Sequence, residues 1–188
     1  MKVLAFAASL RKGSLNRKLI HQAVEILNAS SGVIVDHADY REFEMPIYDG
    51  DAEEASGIPK GGLEFIRRIQ TADALVISTP EYNGGIPGTL KNAIDWASRT
   101  DPIPFDGKPI LLLGASPGGF GAVRGLWHTR VPLEAIGGFV YPEMFGLARA
   151  HQAFDEGGNF TDSKNVARLQ ELIRGFLDYH IAHLAGKA

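Results

Sequence analysis

The sequence contains no cysteine among its 188 residues. This absence excludes disulfide bonds, thiolate metal sites, cysteine nucleophiles and dithiol redox chemistry. If the protein transfers electrons, a bound cofactor must therefore carry them. We expect no metal site either, because the two histidines at helical spacing, His180 and His183, are interpreted as cations near the end of the last helix.

The sequence also lacks a strong charge excess and a long apolar run. Its net charge is -3, so no general electrostatic attraction to nucleic acid or to an anionic membrane is expected. No apolar segment reaches membrane-spanning length. The first residues, MKVLAFAASLRKGS, resemble a short signal peptide, but Arg11 and Lys12 follow the apolar run directly. We interpret this run as a buried first strand and expect a cytoplasmic protein.

Short apolar runs alternate with segments of helical spacing along the whole chain. This alternation predicts an α/β fold in which a mostly parallel sheet is covered by helices on both faces. We expect one domain over residues 1–188, with an irregular surface excursion between Tyr40 and Lys60. The predicted strands are KVLAFAA (2–8), GVIVDHAD (32–39), ALVIST (74–79), a strand within KPILLLGAS (108–116) and a short fifth strand within FVYPEMFGLA (139–148).

Three unusual loops follow the first, third and fourth strands, and parallel strands bring such loops to one edge of a sheet. The first is SLRKGSLN (9–16), which carries Ser9, Arg11, Ser14 and Asn16 and opens onto a helix. Free amides at a helix N-terminus and an arginine favour an anion, and a phosphate is the obvious one. The alternative is an ordinary Ser or Asn helix cap with solvated basic side chains.

The other two loops favour a flat ligand. In PEYNGGIPG (80–88), Tyr82 offers a planar face, Asn83 offers polar groups, and two glycines permit close approach of the backbone. In SPGGFG (116–121), Gly118 and Gly119 provide a second wall. The alternatives are a rigid turn packed by the tyrosine and a plain strand-to-helix turn. Neither a P-loop nor a G-x-G-x-x-G motif follows the first strand, which suits a mononucleotide monophosphate better than a pyrophosphate.

Three strings carry a resemblance to a known family: SLRKGSLNRKL, PEYNGGIPGTLKNAIDW and SPGGFGAVR. The chain resembles the NAD(P)H-dependent FMN reductases of flavodoxin-like fold, which include quinone, azo-dye and chromate reductases. The resemblance implies a doubly wound three-layer sandwich with a five-stranded parallel sheet of order 2-1-3-4-5. It also implies bound FMN, NADPH or NADH as co-substrate, a small-molecule electron acceptor, and a homodimer or homotetramer. Gly85 departs from the pattern, because many relatives have serine there.

The resemblance assigns residues to the flavin but no catalytic side chain. It implies that nicotinamide passes hydride to FMN and that an acceptor then takes the electrons, in a ping-pong scheme that depends on positioning. An electron carrier of the flavodoxin type, or a flavin-binding protein with poor turnover, is the alternative, although such carriers tend to be strongly acidic. The implied residues are Ser9, Arg11, Ser14 and Asn16 for the phosphate; Pro80, Glu81, Tyr82, Asn83 and Gly84 for the ring; and Ser116, Gly118 and Gly119 for its far side.

Overall fold

A computed structural model of the chain, which describes residues 1–185, contains one parallel sheet. The sheet order is β2-β1-β3-β4-β5, as predicted, and a further strand, β6, also pairs with β4. The strands are β1 (Lys2–Ala7), β2 (Ile34–Ala38), β3 (Ala74–Ser78), β4 (Pro109–Ala115), β5 (Phe139–Val140) and β6 (Phe145–Leu147).

The prediction of a single fifth strand within residues 139–148 was wrong, because this segment forms two short strands. The beginning of β4 pairs with β5, in the register Pro109 to Phe139, whereas its end pairs with β6, in the register Leu113 to Phe145. Pro142 lies in the gap between the two strands and cannot donate a ladder hydrogen bond. In the part of the chain that the structure describes, the sheet therefore has six strands instead of five.

Six α-helices within residues 1–185 connect and cover the strands. The segment predicted to be irregular contains a 3-10 turn (Tyr40–Phe43) and α2, whose first turn is capped by the Asp49 carboxylate, which accepts a hydrogen bond from the N–H of Asp51 at 2.9 Å. None of the described helices is both long enough and apolar enough to cross a membrane. The helices are α1 (Leu15–Asn28), α2 (Gly50–Ser56), α3 (Lys60–Thr71), α4 (Gly88–Ala97), α5 (Val123–Ala135) and α6 (Ser163–Ala185).

Two hydrophobic cores lie on opposite faces of the sheet. Alternate side chains of β1 divide between them: Val3 and Ala5 face the core formed with α1 and α6, whereas Leu4 and Phe6 face the core formed with α3 and α4. Because both faces are covered, the central strands are continuously apolar. This confirms the predicted three-layer arrangement.

The carboxyl ends of β1, β3 and β4 meet at one edge of the sheet. Backbone hydrogen bonds continue the ladder past the strands there, from the N–H of Ala8 to the Ser78 carbonyl at 2.9 Å and from the N–H of Thr79 to the Leu113 carbonyl at 2.8 Å. The three unusual loops leave the sheet at this edge, and the site is built from them.

Candidate active site

The first loop ends in a capped helix. The Ser14 hydroxyl accepts a hydrogen bond from the N–H of Asn16 at 3.2 Å, which fixes the beginning of α1. Ser9 and Ser14 are buried, whereas Arg11 and Gly13 are exposed. A side chain added at Gly13 would meet no atom within 4 Å, so the loop is open above the helix N-terminus. The N–H groups of Asn16 and Arg17 are bonded to Ser14, so an anion at this point would meet the positive end of the helix dipole and the exposed Arg11 side chain.

The role of Asn16 at the phosphate stays a prediction, but its side chain already has hydrogen-bond partners within the protein. Its amide group points into the protein, where its Nδ2 donates to the Ala115 carbonyl at 3.0 Å and its Oδ1 accepts from the Ala115 N–H at 2.9 Å. The same oxygen accepts from the Ser78 hydroxyl at 3.0 Å. The side chain thus joins the start of α1 to the ends of β3 and β4, and it fixes the position of the first loop.

The second loop is a two-residue hairpin. Tyr82 and Gly85 exchange backbone hydrogen bonds of 3.1 and 3.0 Å, and the two residues between them, Asn83 and Gly84, have φ angles of 51° and 79°. Positive φ at both central residues is the type I′ pattern, which Asn-Gly favours. The turn conformation thus requires Gly84 independently of any ligand. It also leaves the Tyr82 ring about half exposed, at 48%.

Gly85, the departure from the family pattern, lies against α5. A Cβ at this position would be 3.3 Å from Nδ1 of His128. A serine here would therefore press on the imidazole, so the small residue and His128 fit together.

Hydrogen bonds to the Glu81 carboxylate connect the second loop to α5, the helix that follows the third loop. The carboxylate accepts hydrogen bonds from the N–H groups of Arg124 and Gly125, both at 3.1 Å, and from Nε of Arg124 at 2.9 Å. Burial opposes its ionisation, but the hydrogen bonds from Gly125 and Arg124 outweigh this and hold the pKa of Glu81 below its ordinary value. A Cβ at Gly125 would be 2.9 Å from the Glu81 Cα, so only glycine permits this approach. The Glu81 side chain therefore caps α5.

The third loop is anchored at both ends and exposed in the middle. The Ser116 carbonyl accepts from the N–H of Ala150 at 3.0 Å, and the Ser116 hydroxyl accepts from the N–H of Gly118 at 3.1 Å. At the other end Gly121 has a φ of 59°, and a Cβ there would lie 3.0 Å from backbone atoms. Gly118 and Gly119 are exposed between these anchors, and a Cβ at Gly119 would meet nothing within 4 Å.

Replacement of Glu81 by glutamine is expected to lower the free energy of unfolding by about 1–2 kcal/mol at pH 7, because a charged cap becomes neutral. A carboxylate with a lowered folded-state pKa stabilises the fold above its ordinary pKa of 4.5, and this contribution is lost as the pH falls through the folded value. The difference between wild type and Glu81→Gln should therefore shrink below about pH 4. Denaturant unfolding of both proteins at pH 7 and below about pH 4 measures this difference in the free energy of unfolding.

Glu54→Gln is the matched control for this prediction, because Glu54 is an exposed glutamate of α2. It should change stability little at either pH. A Glu81→Gln difference that persists undiminished at acid pH would show that the lost charge is not the cause.

The three loops together present features that suit a flat ligand with an anionic end. One loop offers a helix N-terminus and Arg11, another presents the exposed Tyr82 ring, and the third presents bare backbone at Gly118 and Gly119. These features fit a flavin mononucleotide, whose phosphate needs donors and whose ring needs planar and backbone contacts. Positioning, with no acid–base pair, is the chemistry that this arrangement supports.

Comparison with known proteins agrees with this geometry. Residues 1–152 match the sequence family described as NADPH-dependent FMN reductase. An NAD(P)H-dependent FMN reductase of Pseudomonas aeruginosa is 38% identical over 176 residues, which cover 93% of this chain and 92% of the relative. A quinone reductase of Escherichia coli is 33% identical over 181 residues and 95% of both chains. The solved structure of FerB, a flavoenzyme NAD(P)H:(acceptor) oxidoreductase from Paracoccus denitrificans, superposes with a TM-score of 0.82 at 32% identity over 97% of this chain and 98% of that one.

Proposed function

Because the chain belongs to the NADPH-dependent FMN reductase family, and is therefore an oxidoreductase that uses FMN and NAD(P)H, we propose that it reduces a small-molecule acceptor in a ping-pong reaction. A quinone is the first acceptor to test, since one close relative is named a quinone reductase. Azo compounds, chromate and free flavin are the other acceptors expected. When bound, FMN supplies the redox chemistry by taking hydride from the nicotinamide and giving electrons to the acceptor.

The residues of this chain bind and orient the flavin in the proposed function. Ser9, Arg11 and Ser14 hold the phosphate at the N-terminus of α1. Asn16 and Glu81 position the loops through the hydrogen bonds described above, instead of meeting the ligand with their side chains. The remaining residues line the ring: Pro80, Tyr82, Asn83 and Gly84 on one side, and Ser116, Gly118 and Gly119 on the other.

The observation that carries this proposal is the rigid connection of all three loops at one edge of the sheet. Asn16 ties the first loop to the strands that precede the other two, and Glu81 ties the second loop to the helix that follows the third. A site held in this way keeps the ring in a fixed position, which hydride transfer requires.

Anaerobic reduction of the flavin-loaded protein tests the proposal. The protein is mixed with FMN, freed of unbound flavin by gel filtration, and given NADPH while the visible spectrum is recorded. Retained yellow colour that bleaches within seconds is the expected result. Retained flavin that bleaches slowly would favour a carrier or storage protein, and flavin that does not stay bound would contradict the assignment of the three loops.

We also propose that the chain forms a homodimer or homotetramer through the outer face of α5. Trp127 and Val131 lie one helical turn apart there and are 57% and 66% exposed, an unusual exposure for large apolar side chains. Phe120, 73% exposed, precedes the same helix. The cytoplasmic location expected from the sequence stays a prediction.

Trp127→Glu is expected to lower the molar mass of the particle in solution, because a charge would be buried in the contact. Light scattering after gel filtration measures this mass. The control is Leu63→Glu, at a 53% exposed leucine of α3, and it should leave the mass unchanged. An unchanged mass in the Trp127→Glu variant would remove α5 from the subunit contact.

A further inference from the structure

A second cleft, of about 510 Å³, lies on the side of the first loop away from the ring loops. It opens between α1 and the carboxyl ends of β1 and β2, and β2 is the neighbour of β1 opposite to β3. Its base includes the small side chains of Ala7 and Ala38, which end these two strands, and Ile20 of α1. Ser9 and Ser14 of the first loop also line it, so the cleft is continuous with the proposed phosphate site.

Basic side chains surround this cleft. Lys12 lies in the first loop, and Arg17 and Lys18 project from the first turns of α1. All three line the same volume, and this chain has a net negative charge overall. Asp39, Glu42 and Glu156 line the cleft as well, so it has no excess of positive charge, and an anionic group would be bound through direct contacts with individual basic side chains.

Two of the acidic residues that line the cleft are engaged by arginines. Asp39, directly after β2, accepts a hydrogen bond from Nη2 of Arg17 at 3.0 Å, and Glu42 forms an ion pair with Arg68. Glu156 lines the cleft as well and is exposed. In doubly wound folds that bind dinucleotides, an acid near the end of the second strand binds the ribose 2′-hydroxyl of NAD, or a nearby arginine accommodates the 2′-phosphate of NADP.

Two imidazoles add a planar surface to the cleft. The rings of His21 and His37 are nearly parallel, with an angle of 18° between their planes and 6.4 Å between their centres. Desolvation, followed by the positive groups of His21 and Arg17, lowers the pKa of His37, so this ring is mainly neutral at pH 7. The neutral His37 ring at the edge of the cleft can pack against a purine base.

From these contacts we propose that the cleft binds the phosphorylated adenosine portion of a dinucleotide, with Arg17 and Lys12 on its phosphate and the base beside His21 and His37. Two molecules contain this chemistry: NADPH, through its 2′-phosphoadenosine, and FAD, through its adenylate. The inference rests on the proposed function for the identity of these molecules. The cleft itself is a separate site from the ring loops.

Binding of two mononucleotides to the flavin-loaded protein tests this proposal. Adenosine 2′-monophosphate represents the NADPH portion and adenosine 5′-monophosphate the FAD portion. Each is titrated by calorimetry, and the imidazole proton resonances of His21 and His37 are followed by NMR. Saturable binding of at least one mononucleotide with shifts of both histidines is expected, and Arg17→Ala should weaken it about tenfold or more, since a charge-assisted contact is lost.

Two further variants test whether the binding depends on the basic side chains of the cleft. Lys12→Ala removes an exposed cation that has no part in the Arg17–Asp39 pair, and it should also weaken binding. Arg67→Ala, at an exposed arginine of α3, should not. Absence of saturable binding at millimolar nucleotide, unshifted histidine resonances, or affinity unchanged by both Arg17→Ala and Lys12→Ala would each overturn the proposal.

The same samples distinguish NADPH from FAD as the ligand of the cleft. They also distinguish a failure of this inference from a failure of the proposed function. Preference for the 2′-phosphate, with a KM for NADPH that rises in Arg17→Ala while the KM for NADH does not, identifies the electron donor. Preference for the 5′-phosphate, with FAD competing for the FMN site, identifies the flavin dinucleotide. Flavin that is retained and reduced by NADPH in a protein that binds neither mononucleotide would reject this inference alone, whereas flavin that is not retained would reject the proposed function.

Discussion

Replacement of Asn16 by alanine is expected to lower the free energy of unfolding by about 3–5 kcal/mol, because it removes three buried hydrogen bonds at once. The N–H and carbonyl of Ala115 and the hydroxyl of Ser78 would each lose a partner inside the protein. Unsatisfied buried groups cost more than the bonds themselves contribute. Denaturant unfolding of the two proteins without flavin measures the difference.

The Asn16→Asp variant distinguishes the loss of these hydrogen bonds from a simple loss of packing. Its carboxyl keeps the acceptor oxygen but, when ionised, faces the Ala115 carbonyl with a second acceptor. Protonation would restore the donor, so the folded-state pKa of the introduced carboxyl should be raised. A raised pKa means that stability is regained as the pH falls through the folded value, and the deficit relative to wild type should shrink at low pH.

Asn28→Ala is the control for Asn16→Ala, because Asn28 is an exposed asparagine at the other end of α1. It should cost far less than Asn16→Ala. Equal losses of unfolding free energy in Asn16→Ala and Asn28→Ala would contradict the role of Asn16 in joining the strand ends. A stability deficit of Asn16→Asp that does not change with pH would contradict it as well.

The sequence could predict the strands and the three loops because their signals are local, whereas the sheet order was implied by the resemblance to a known family. Apolar runs, helical spacing and glycine-rich turns are each contained in a few neighbouring residues. The direction of the Asn16 side chain has no such signal. Its partners, Ser78 and Ala115, are 62 and 99 positions away along the chain, so an asparagine in a polar loop resembles a ligand until the fold is known.

Some features were missed although their signals were present. Asn83 and Gly84 form the dipeptide most typical of a type I′ hairpin, yet the alternative given for this loop was only a rigid turn of no stated type. Asp39 and Glu42 have the spacing of a capping box, and both of its hydrogen bonds form at the 3-10 turn in the segment that was predicted to be irregular. The second cleft had no sequence signal, because Arg17 and Asp39 meet only when β2 packs beside α1.

Arg11→Ala is expected to weaken FMN binding roughly 10- to 150-fold, the loss that corresponds to about 1.5–3 kcal/mol for hydrogen bonds to a charged group. Arg11 is exposed at the mouth of the first loop, so the variant should fold with nearly unchanged stability. Fluorescence titration of the flavin measures the affinity. Arg11→Lys should fall between wild type and Arg11→Ala, because a lysine keeps the charge without the bidentate geometry.

Riboflavin, which has the same ring but no phosphate, shows which end of the ligand Arg11 meets. If the guanidinium binds the phosphate, Arg11→Ala weakens FMN binding but leaves riboflavin binding unchanged, and the preference for FMN over riboflavin falls by the same factor. Raising the salt concentration should then reduce the FMN affinity of wild type more than that of the variant. Arg67→Ala, which removes one exposed positive charge from α3, controls for net charge. Equal weakening of both flavins would move Arg11 away from the phosphate, and unchanged FMN affinity would remove the first loop as the phosphate site.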